Sequence, residues 1–565
     1  MVTVQDIGEY TFPALFKNSV TRFANRPALS FANTNPITYA EVAERTEKIA
    51  TMLYALGVRK GDKVAIWSGS TPNWGAAYFA IVNYGATALP ILPDFTPGEV
   101  ESIIKHADIS GMIVSDKLFE KIQSVDDKTL PFIINIEDFK ILRAKGVKNP
   151  DDISIPKNIP EVIVKEDDTA SIIYTSGTTG RSKGVELTHK NLVFMAIQCQ
   201  SVRRINKRDK CLSFLPLSHV YEFSIGFVMI FLNGACIYYL GKPPTVSSLL
   251  PAFKKVKPTI ILSVPMVMEK IYKNKIVPTF TKTGFIKKFY GIRFFQKILH
   301  RIAGTSLKKT FGGRLTFFGI GGAKVDPKVE QFMKDARFPY AIGYGLTETS
   351  PLLAGSNPGN TKVDTIGPIL KGIEVDILNP DAHTGIGEVI ARGDNVMKGY
   401  YKEPELTSQV FTDEQDSCGA GWFKTGDLGT IHKGRLSLKG RLKNMILRSG
   451  GENIYPEDIE FVLNQHPVVT ESLVIEDDDN GLVALVQLDE EKMAQQGIMN
   501  TVEDIKENIL YKQEEILSEI KYFVNNQVNR FSKLGAIKIV SEFEKTASQK
   551  IKRYLYNLGD NIQKK

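Results

Sequence analysis

The chain alternates short apolar runs with longer stretches whose apolar residues recur every three or four positions. "KVAIW" (Lys63–Trp67), "GATALPIL" (Gly85–Leu92), "GMIVS" (Gly111–Ser115) and "TIILSVP" (Thr259–Pro265) have strand length and composition. Between them, "TYAEVAERTEKIATMLYALG" (Thr38–Gly57) places its apolar residues at helical spacing. Alternation of this kind predicts an α/β architecture with large sheets. Phe223–Leu240, "FSIGFVMIFLNGACIYYL", carries no charge and reaches the lower edge of membrane-spanning length. Asn233-Gly234 is a strong turn signal inside it, so a buried helix, a turn and a buried strand is the better reading.

The texture changes near residue 435. "GRLSLKGRLKN" (Gly434–Asn444) is basic, punctuated by glycine and short of large apolar residues, as interdomain hinges are. Beyond it, "SLVIE" (Ser472–Glu476), "LVALVQL" (Leu482–Leu488) and charged helical sequence over Thr501–Asn525 suffice for a small domain of their own. The expected organisation is a large α/β domain over 1–435 with several sheets and flanking helices. A hinge follows over 436–443, then a small α+β domain over 444–565.

Composition narrows the function classes. A chain of 565 residues exceeds what one core sustains. A hydrophobic fraction of 43% with 24% charged residues is that of an ordinary globular protein. The net charge of +8 is mild for this length, which disfavours a dedicated nucleic-acid binder and leaves anionic small molecules or a membrane surface. Cys199, Cys211, Cys236 and Cys418 have no paired spacing, which argues against a disulfide framework or zinc site and fits a reducing cytoplasm. The first residues, "MVTVQDIGEYTF", lack a basic head and an apolar run and are not expected to be a signal peptide.

Candidate chemistry concentrates in "SIIYTSGTTGRSKG" (Ser171–Gly184). A strand signal runs into a loop rich in hydroxyls and glycines, then a lysine. Glycines let backbone N–H groups converge, hydroxyls add donors, and a lysine offsets anionic charge: a nest for phosphate oxygens. The spacing differs from the G-x-x-x-x-G-K-[ST] phosphate loop, because two residues separate Gly180 from Lys183.

With "YTSGTTGRSKG", the chain resembles the adenylate-forming superfamily, which includes acyl-CoA synthetases, nonribosomal adenylation domains and luciferases. Five further motifs stand in the expected order: "FFGIGGA" (Phe317–Ala323), "YGLTETS" (Tyr344–Ser350), "WFKTGD" (Trp422–Asp427), "GRLKNMILRSGGENIYPEDIE" (Gly440–Glu460) and "KTASQKIKR" (Lys545–Arg553). "TPNWGAAYFAIVNYGATALPILPDF" (Thr71–Phe95) and "FLPLSHVYE" (Phe214–Glu222) are similar to the long-chain fatty acyl-CoA synthetase branch.

The resemblance implies a two-step reaction, ATP and a fatty acid giving acyl-AMP, then coenzyme A displacing AMP. It implies that Thr175, Ser176, Gly177, Thr178, Thr179, Gly180 and Lys183 cradle the phosphates. Thr175 and Glu348 would help hold Mg²⁺, and Thr347 would contact the α-phosphate. Gly321, Gly322, Ala323, Tyr344 and Gly345 would line the nucleotide pocket, with Asp427 accepting from the ribose hydroxyls and Arg441 reaching ribose or phosphate. Lys550 would bridge carboxylate and α-phosphate on a small domain that rotates about Lys443. His219 and Tyr221 would lie near the acyl end, and Gly450 and Gly451 on the coenzyme A face. The usual glycine before the catalytic lysine is Gln549 here, which bears on loop geometry and leaves the charge in place. An acyl carrier protein as acceptor, or a non-catalytic binding relative, are the competing readings. Acyl chain length and oligomeric state, a homodimer included, stay open.

One basic segment stands outside that machinery. From Lys270 to Val325 there is no Asp or Glu, while Lys, Arg, Phe and Tyr are dense. Positions 285, 289, 292, 295, 299 and 302 are apolar at helical spacing, predicting a basic amphipathic helix. Over 280–303 it could lie on an anionic membrane, at the inner face of the cell membrane, or pack on the core, or serve ligand phosphates.

Overall fold

A computed structural model describes residues 1–176, 182–281, 284–447, 453–477, 481–489, 493, 505–546 and 550–556. Two eight-stranded sheets form the centre of the large region. The first runs Leu352–Gly355, Tyr340–Gly345, Phe317–Ile320, Ile260–Ser263, Lys210–Ser213, Cys236–Tyr239, Pro27–Phe31 and Ile37–Thr38 in spatial order, and its interior pairs are parallel. The second places Lys63–Trp67 between Thr87–Ile91 and Gly111–Val114, all parallel. It continues through Thr169–Ser176 to Ser182–Thr188 and Gly399–Tyr400. The apolar runs are strands because both faces of each sheet are covered. A five-stranded antiparallel sheet, Gly367–Pro368, Arg435–Arg441, Phe423–His432, Gly387–Gly393 and Ile373–Leu378, completes the region.

Local chemistry fixes the helices. Thr38 opens the Tyr39–Ala55 helix with a capping box: its hydroxyl accepts from the Glu41 N–H, and the Glu41 carboxylate accepts from the Thr38 N–H. Between the large sheets, Phe12, Trp74, Tyr78, Phe79, Phe223 and Phe227 pack into one aromatic cluster. Truncating a buried phenylalanine of this kind to alanine costs about 3–5 kcal/mol.

The uncharged Phe223–Leu240 segment is a buried helix, a turn and a buried strand. Its helix begins with a π-turn over Glu222–Val228 and ends at Leu232. Gly234 turns the chain at φ +72°, where an added Cβ would lie 2.6 Å from the Phe23 ring. Among the described residues no helix is long and apolar enough to cross a membrane.

The small region has its own core, formed by Ile459, Leu463, Val474, Leu482, Ala484, Ile516 and Ile520. Val469–Asp477, Gly481–Leu488 and Ala536–Ile539 make its sheet, flanked by the Pro456–Asn464 and Ile505–Asn525 helices. Up to Arg441, the segment read as a hinge is a strand of the five-stranded sheet, and the chain leaves that sheet through a short turn at Leu442–Asn444.

The basic segment departs from expectation. Instead of one amphipathic helix there are two, Gly284–Tyr290 and Arg293–Thr310, broken at Gly291-Ile292. Tyr290 turns inward, stacks on Phe280 at 5.5 Å and meets His300 Nε2 at 3.0 Å. Of the stripe itself, Leu299 packs against the core, whereas Ile292, Phe295 and Ile302 face outward.

Candidate active site

The phosphate-loop sequence forms a hairpin. Thr169–Ser176 pairs antiparallel with Ser182–Thr188, with Thr175 opposite Lys183 and Ser176 opposite Ser182. Directly opposed residues in such a ladder share one face, so Thr175 and Lys183 project to the same side. Gly177, Thr178, Thr179 and Gly180, at the tip, lie outside the described residues.

Lys183 Nζ stands 5.0 Å from the Tyr400 ring, and the Tyr400 hydroxyl donates to Glu348 Oε1 at 2.9 Å. Glu348 sits in the short Thr347–Thr349 turn. The Met397 N–H binds the Glu348 carbonyl at 2.8 Å, and Asn395 Nδ2 donates to the Thr349 carbonyl at 3.0 Å. Gly345 precedes this turn, where a Cβ would lie 1.7 Å from the Pro351 carbonyl oxygen. Only glycine allows that approach. Thr347 and Glu348 are thus carried on a turn held by the backbone around it.

On the other side, strand register sets Asp427 opposite Arg441. Arg441 Nε lies 2.6 Å from Asp427 Oδ1, and the Tyr344 hydroxyl donates to Asp427 Oδ2 at 2.7 Å. The Asp427 N–H donates to Thr425 Oγ1 at 3.1 Å. Burial pushes the Asp427 carboxyl up, opposed by Arg441, the Tyr344 bond and Lys550, with Glu457 adding to the rise. A carboxylate has about four acceptor positions, so two bonds leave room for further donors. Gly321 and Gly322 follow the Phe317–Ile320 strand, and a Cβ on Gly321 would come within 3.1 Å of the Tyr221 ring. Gly322 takes φ +88°.

Lys550 enters from the small region on a tight hairpin. Lys545 bridges to Ile551, the Thr546 N–H binds the Lys550 carbonyl at 2.8 Å, and the Lys550 N–H donates to Thr546 Oγ1 at 3.2 Å. Gln549, between them, lies outside the described residues. Arg553 clamps this hairpin onto Glu460 with bonds of 2.7 and 2.9 Å. Lys550 is exposed to solvent, although protein atoms crowd it enough to disfavour its charge. That desolvation, then Arg441, lowers its pKa, while Asp427 and Glu348 act in the other direction.

His219 lines the same cleft and feels the Lys550 charge. Desolvation, then Lys550, brings its pKa down to about 4, so the ring is neutral near pH 7. Lys443 is depressed to about 8 by desolvation and by Arg441, Lys183 and Arg553, with Asp427 opposing. Residues from the hairpin, the five-stranded sheet and the small region therefore converge. Gly450 and Gly451 lie outside the described residues.

Behind Tyr221, an apolar cavity of about 20 Å³ separates the Glu222–Leu232 helical segment from the first sheet. Ile225, Met229, Leu262, Phe317 and Gly319 line it. Next to it, burial pushes the Glu222 carboxyl up to about 8.

Sequence reasoning missed three partners. Tyr344 is expected to line the nucleotide pocket, but the bond from its hydroxyl to Asp427 was not foreseen. Tyr400, which holds Glu348, had no role assigned. Thr425, under Asp427, was visible only as a letter of "WFKTGD".

A family model described as AMP-binding enzyme matches residues 16–401. Fatty acyl-CoA synthetase A of Dictyostelium discoideum is 28% identical over 493 residues, covering 79% of this chain and 71% of that protein. Long-chain-fatty-acid–CoA ligase FadD15 of Mycobacterium bovis is 28% identical over 491 residues, covering 80% and 78%. Among solved structures, ATP-bound MatB from Rhodopseudomonas palustris superposes with a TM-score of 0.74 at 22% identity, covering 96% of this chain and 98% of that one. The Bacillus subtilis o-succinylbenzoate CoA synthetase with its acyl-adenylate intermediate gives 0.74 at 21% identity, covering 96% and 98%. At these identities the structural likeness establishes the fold.

Proposed function

The chain belongs to the AMP-binding enzyme family, and from that membership we propose that it is an ATP-dependent long-chain fatty acid–CoA ligase. One observation carries the reading: Lys183, Arg441, Lys443 and Lys550 gather with Asp427 and Glu348 around one cleft. A carboxylate meeting a triphosphate is a meeting of anions. It requires cations and hydrogen-bond donors placed where charge builds up.

In the first step a carboxylate oxygen bonds to the α-phosphorus while the bond to pyrophosphate breaks. Lys550 spans attacking and phosphoryl oxygens, Lys183 and the hairpin tip hold the outer phosphates, and Asp427 accepts from the ribose. Thr347 contacts the α-phosphate. A fatty acid is already ionised at neutral pH, so this step needs no base, in keeping with a neutral His219 beside the acyl carboxyl. In the second step the coenzyme A thiol gives up its proton to solvent, its thiolate sulfur bonds to the acyl carbon, and the bond from that carbon to the phosphate oxygen breaks as AMP leaves.

Glu348 and the Thr175 hydroxyl are hard oxygen donors, and one carboxylate plus substrate phosphates is a usual Mg²⁺ environment. The residues fit that ion, which when bound neutralises phosphate charge. The apolar cavity behind Tyr221 is the start of the acyl site. At about 20 Å³ it holds no long chain as it stands, so a long acyl chain requires its lining to open.

The relatives named as fatty acyl-CoA synthetases and long-chain ligases support the substrate class. The test is pyrophosphate exchange across carboxylates from short to long, followed by thioester yield. Exchange confined to long chains, with acyl-CoA as product, is expected. Exchange with short chains alone overturns the substrate class, and thioester formed only on acyl carrier protein overturns the acceptor.

A further inference from the structure

The Arg293–Thr310 helix is apolar on two opposite faces. Its inner face, His300, Ala303, Gly304 and Leu307, is buried. Gly304 lies so close to the Pro327–Asp335 helix that a Cβ would come 2.4 Å from the Ala336 carbonyl oxygen. Arg293 and His300 fasten this face to Asp335 at 2.6 and 3.0 Å. Core packing is thereby accounted for, and it uses none of the outer apolar side chains.

On the outer face Phe294 is 69% exposed, Ile298 40% and Ile302 61%, with Phe295, Ile292 and Ile286 also exposed. Positions 294, 298 and 302 stack one turn apart, so the outward side chains form a continuous ridge. Scattered exposed apolar residues are ordinary, but a contiguous ridge with two phenylalanines marks an interaction surface. Lys288, Lys297 and Arg301 are exposed around it. Arg293 is neutralised by Asp335, but the sequence from Lys270 to Val325 contains no carboxylate to balance the other three.

The geometry points to this ridge as the docking surface for an anionic lipid bilayer. Aromatic and branched side chains enter the interface between head groups and acyl chains, and the basic flank meets lipid phosphates. An anionic membrane satisfies both halves, whereas an uncharged apolar partner leaves the cations unmatched. The inner face stays packed on the protein, so docking needs no rearrangement of the fold. The proposal is independent of the catalytic reading, because lipid binding is measured without substrate.

Flotation of the full chain with phosphatidylglycerol/phosphatidylcholine vesicles, against pure phosphatidylcholine, tests it. The wild type is expected to float with the anionic vesicles and to be released by salt. Phe294→Ser with Ile302→Ser should lower partitioning at least tenfold without changing the melting temperature, since both side chains are exposed. Lys288→Gln, Lys297→Gln and Arg301→Gln together should lower it roughly 100-fold at low salt, at about fivefold per charge. A Phe294→Trp reporter, which keeps an aromatic ring in place, should shift its emission to the blue on anionic vesicles. Absence of wild-type flotation, or undiminished flotation of the Phe294/Ile302 variant, overturns the proposal. So does a wild-type dimer that this variant dissociates while neither binds vesicles, because the ridge would then be a self-interface.

Discussion

The two ends of the cleft are built differently. At one end, backbone register does the positioning. Asp427 faces Arg441 across a ladder, Tyr344 comes from a neighbouring sheet, and both carboxylate oxygens are engaged at 2.6 and 2.7 Å. At the other end, Lys550 rides on a hairpin fixed to the small region by Lys545–Glu471 at 2.8 Å and Arg553–Glu460. That region meets the large one partly through long side chains: Lys273 on the carbonyls of His466 and Val469, Lys324 on Asp458, and Lys328 on Gln465. Flexible lysines exchange partners readily, but a strand register does not. On the two-step reading proposed above, the difference would keep the nucleotide corner fixed while the lysine comes and goes.

Removing the lysine at the latched end is the strongest test. Lys550→Ala should cut acyl-AMP formation on the order of 10²–10³-fold, as loss of a transition-state charge partner does. Thioester formation from supplied acyl-AMP should survive. Pyrophosphate exchange and single-turnover acyl-CoA formation measure the two steps, and equal loss in both would erase the distinction between the two ends.

Breaking the fixed end should hurt both steps alike. Asp427→Ala removes the ribose acceptor and strands Arg441 and the buried Tyr344 hydroxyl, so each half-reaction should fall roughly 100-fold, with a lower melting temperature. Tyr344→Phe, which removes only one bond to a charged group, should cost about tenfold. A Tyr344→Phe enzyme impaired in one half-reaction alone would show that the nucleotide corner also changes between steps.

The architecture was legible in the sequence where the chemistry is local. Lys63–Trp67 is a strand end to end, and Asn233-Gly234 is the turn it promised. Motif spelling also picked out Asp427, Arg441 and Lys550, though not what holds them. Tyr344 and Asp427 are 83 residues apart, and Tyr400 and Glu348 are 52 apart, so no periodicity links them. The basic helix was misread because apolar spacing runs on through Gly291. A pattern of letters does not reveal that the helix breaks there, with Tyr290 stacked on Phe280 and bonded to His300.

Lys443 offers a pH test of the same contrast. With a pKa held down to about 8 in the free protein, it should take up a proton when a triphosphate arrives. Binding raises the pKa, so the gain in affinity is complete below pH 8 and is lost as pH climbs toward the value in the complex. ATP affinity should weaken about fivefold between pH 8 and 9, following linkage. Calorimetry in buffers of different ionisation enthalpy would register the proton uptake, and Lys443→Met should abolish both effects. A wild-type affinity independent of pH over that range would place Lys443 away from the phosphates.

The smallest expected effect concerns what keeps the mobile end in place. Lys273 donates to the carbonyl of Asn464, the last residue of the Pro456–Asn464 helix, at 3.4 Å, and to those of His466 at 3.0 Å and Val469 at 2.9 Å in the turn that follows. Carbonyls at a helix end lack partners within the helix and carry partial negative charge, which a lysine suits. Lys273→Met keeps the side chain's apolar stem and loses the donor, so fewer molecules should hold Lys550 in the cleft. Acyl-AMP formation should slow two- to threefold, in the range of a partly exposed charge contact, and thioester formation from supplied acyl-AMP should not slow. In a Lys550→Ala background the same substitution should change acyl-AMP formation no further, because its only effect is to present that lysine. A loss that persists in the double variant would mean that Lys273 supports the large region itself, and the contrast between a fixed and a latched end would then need another latch.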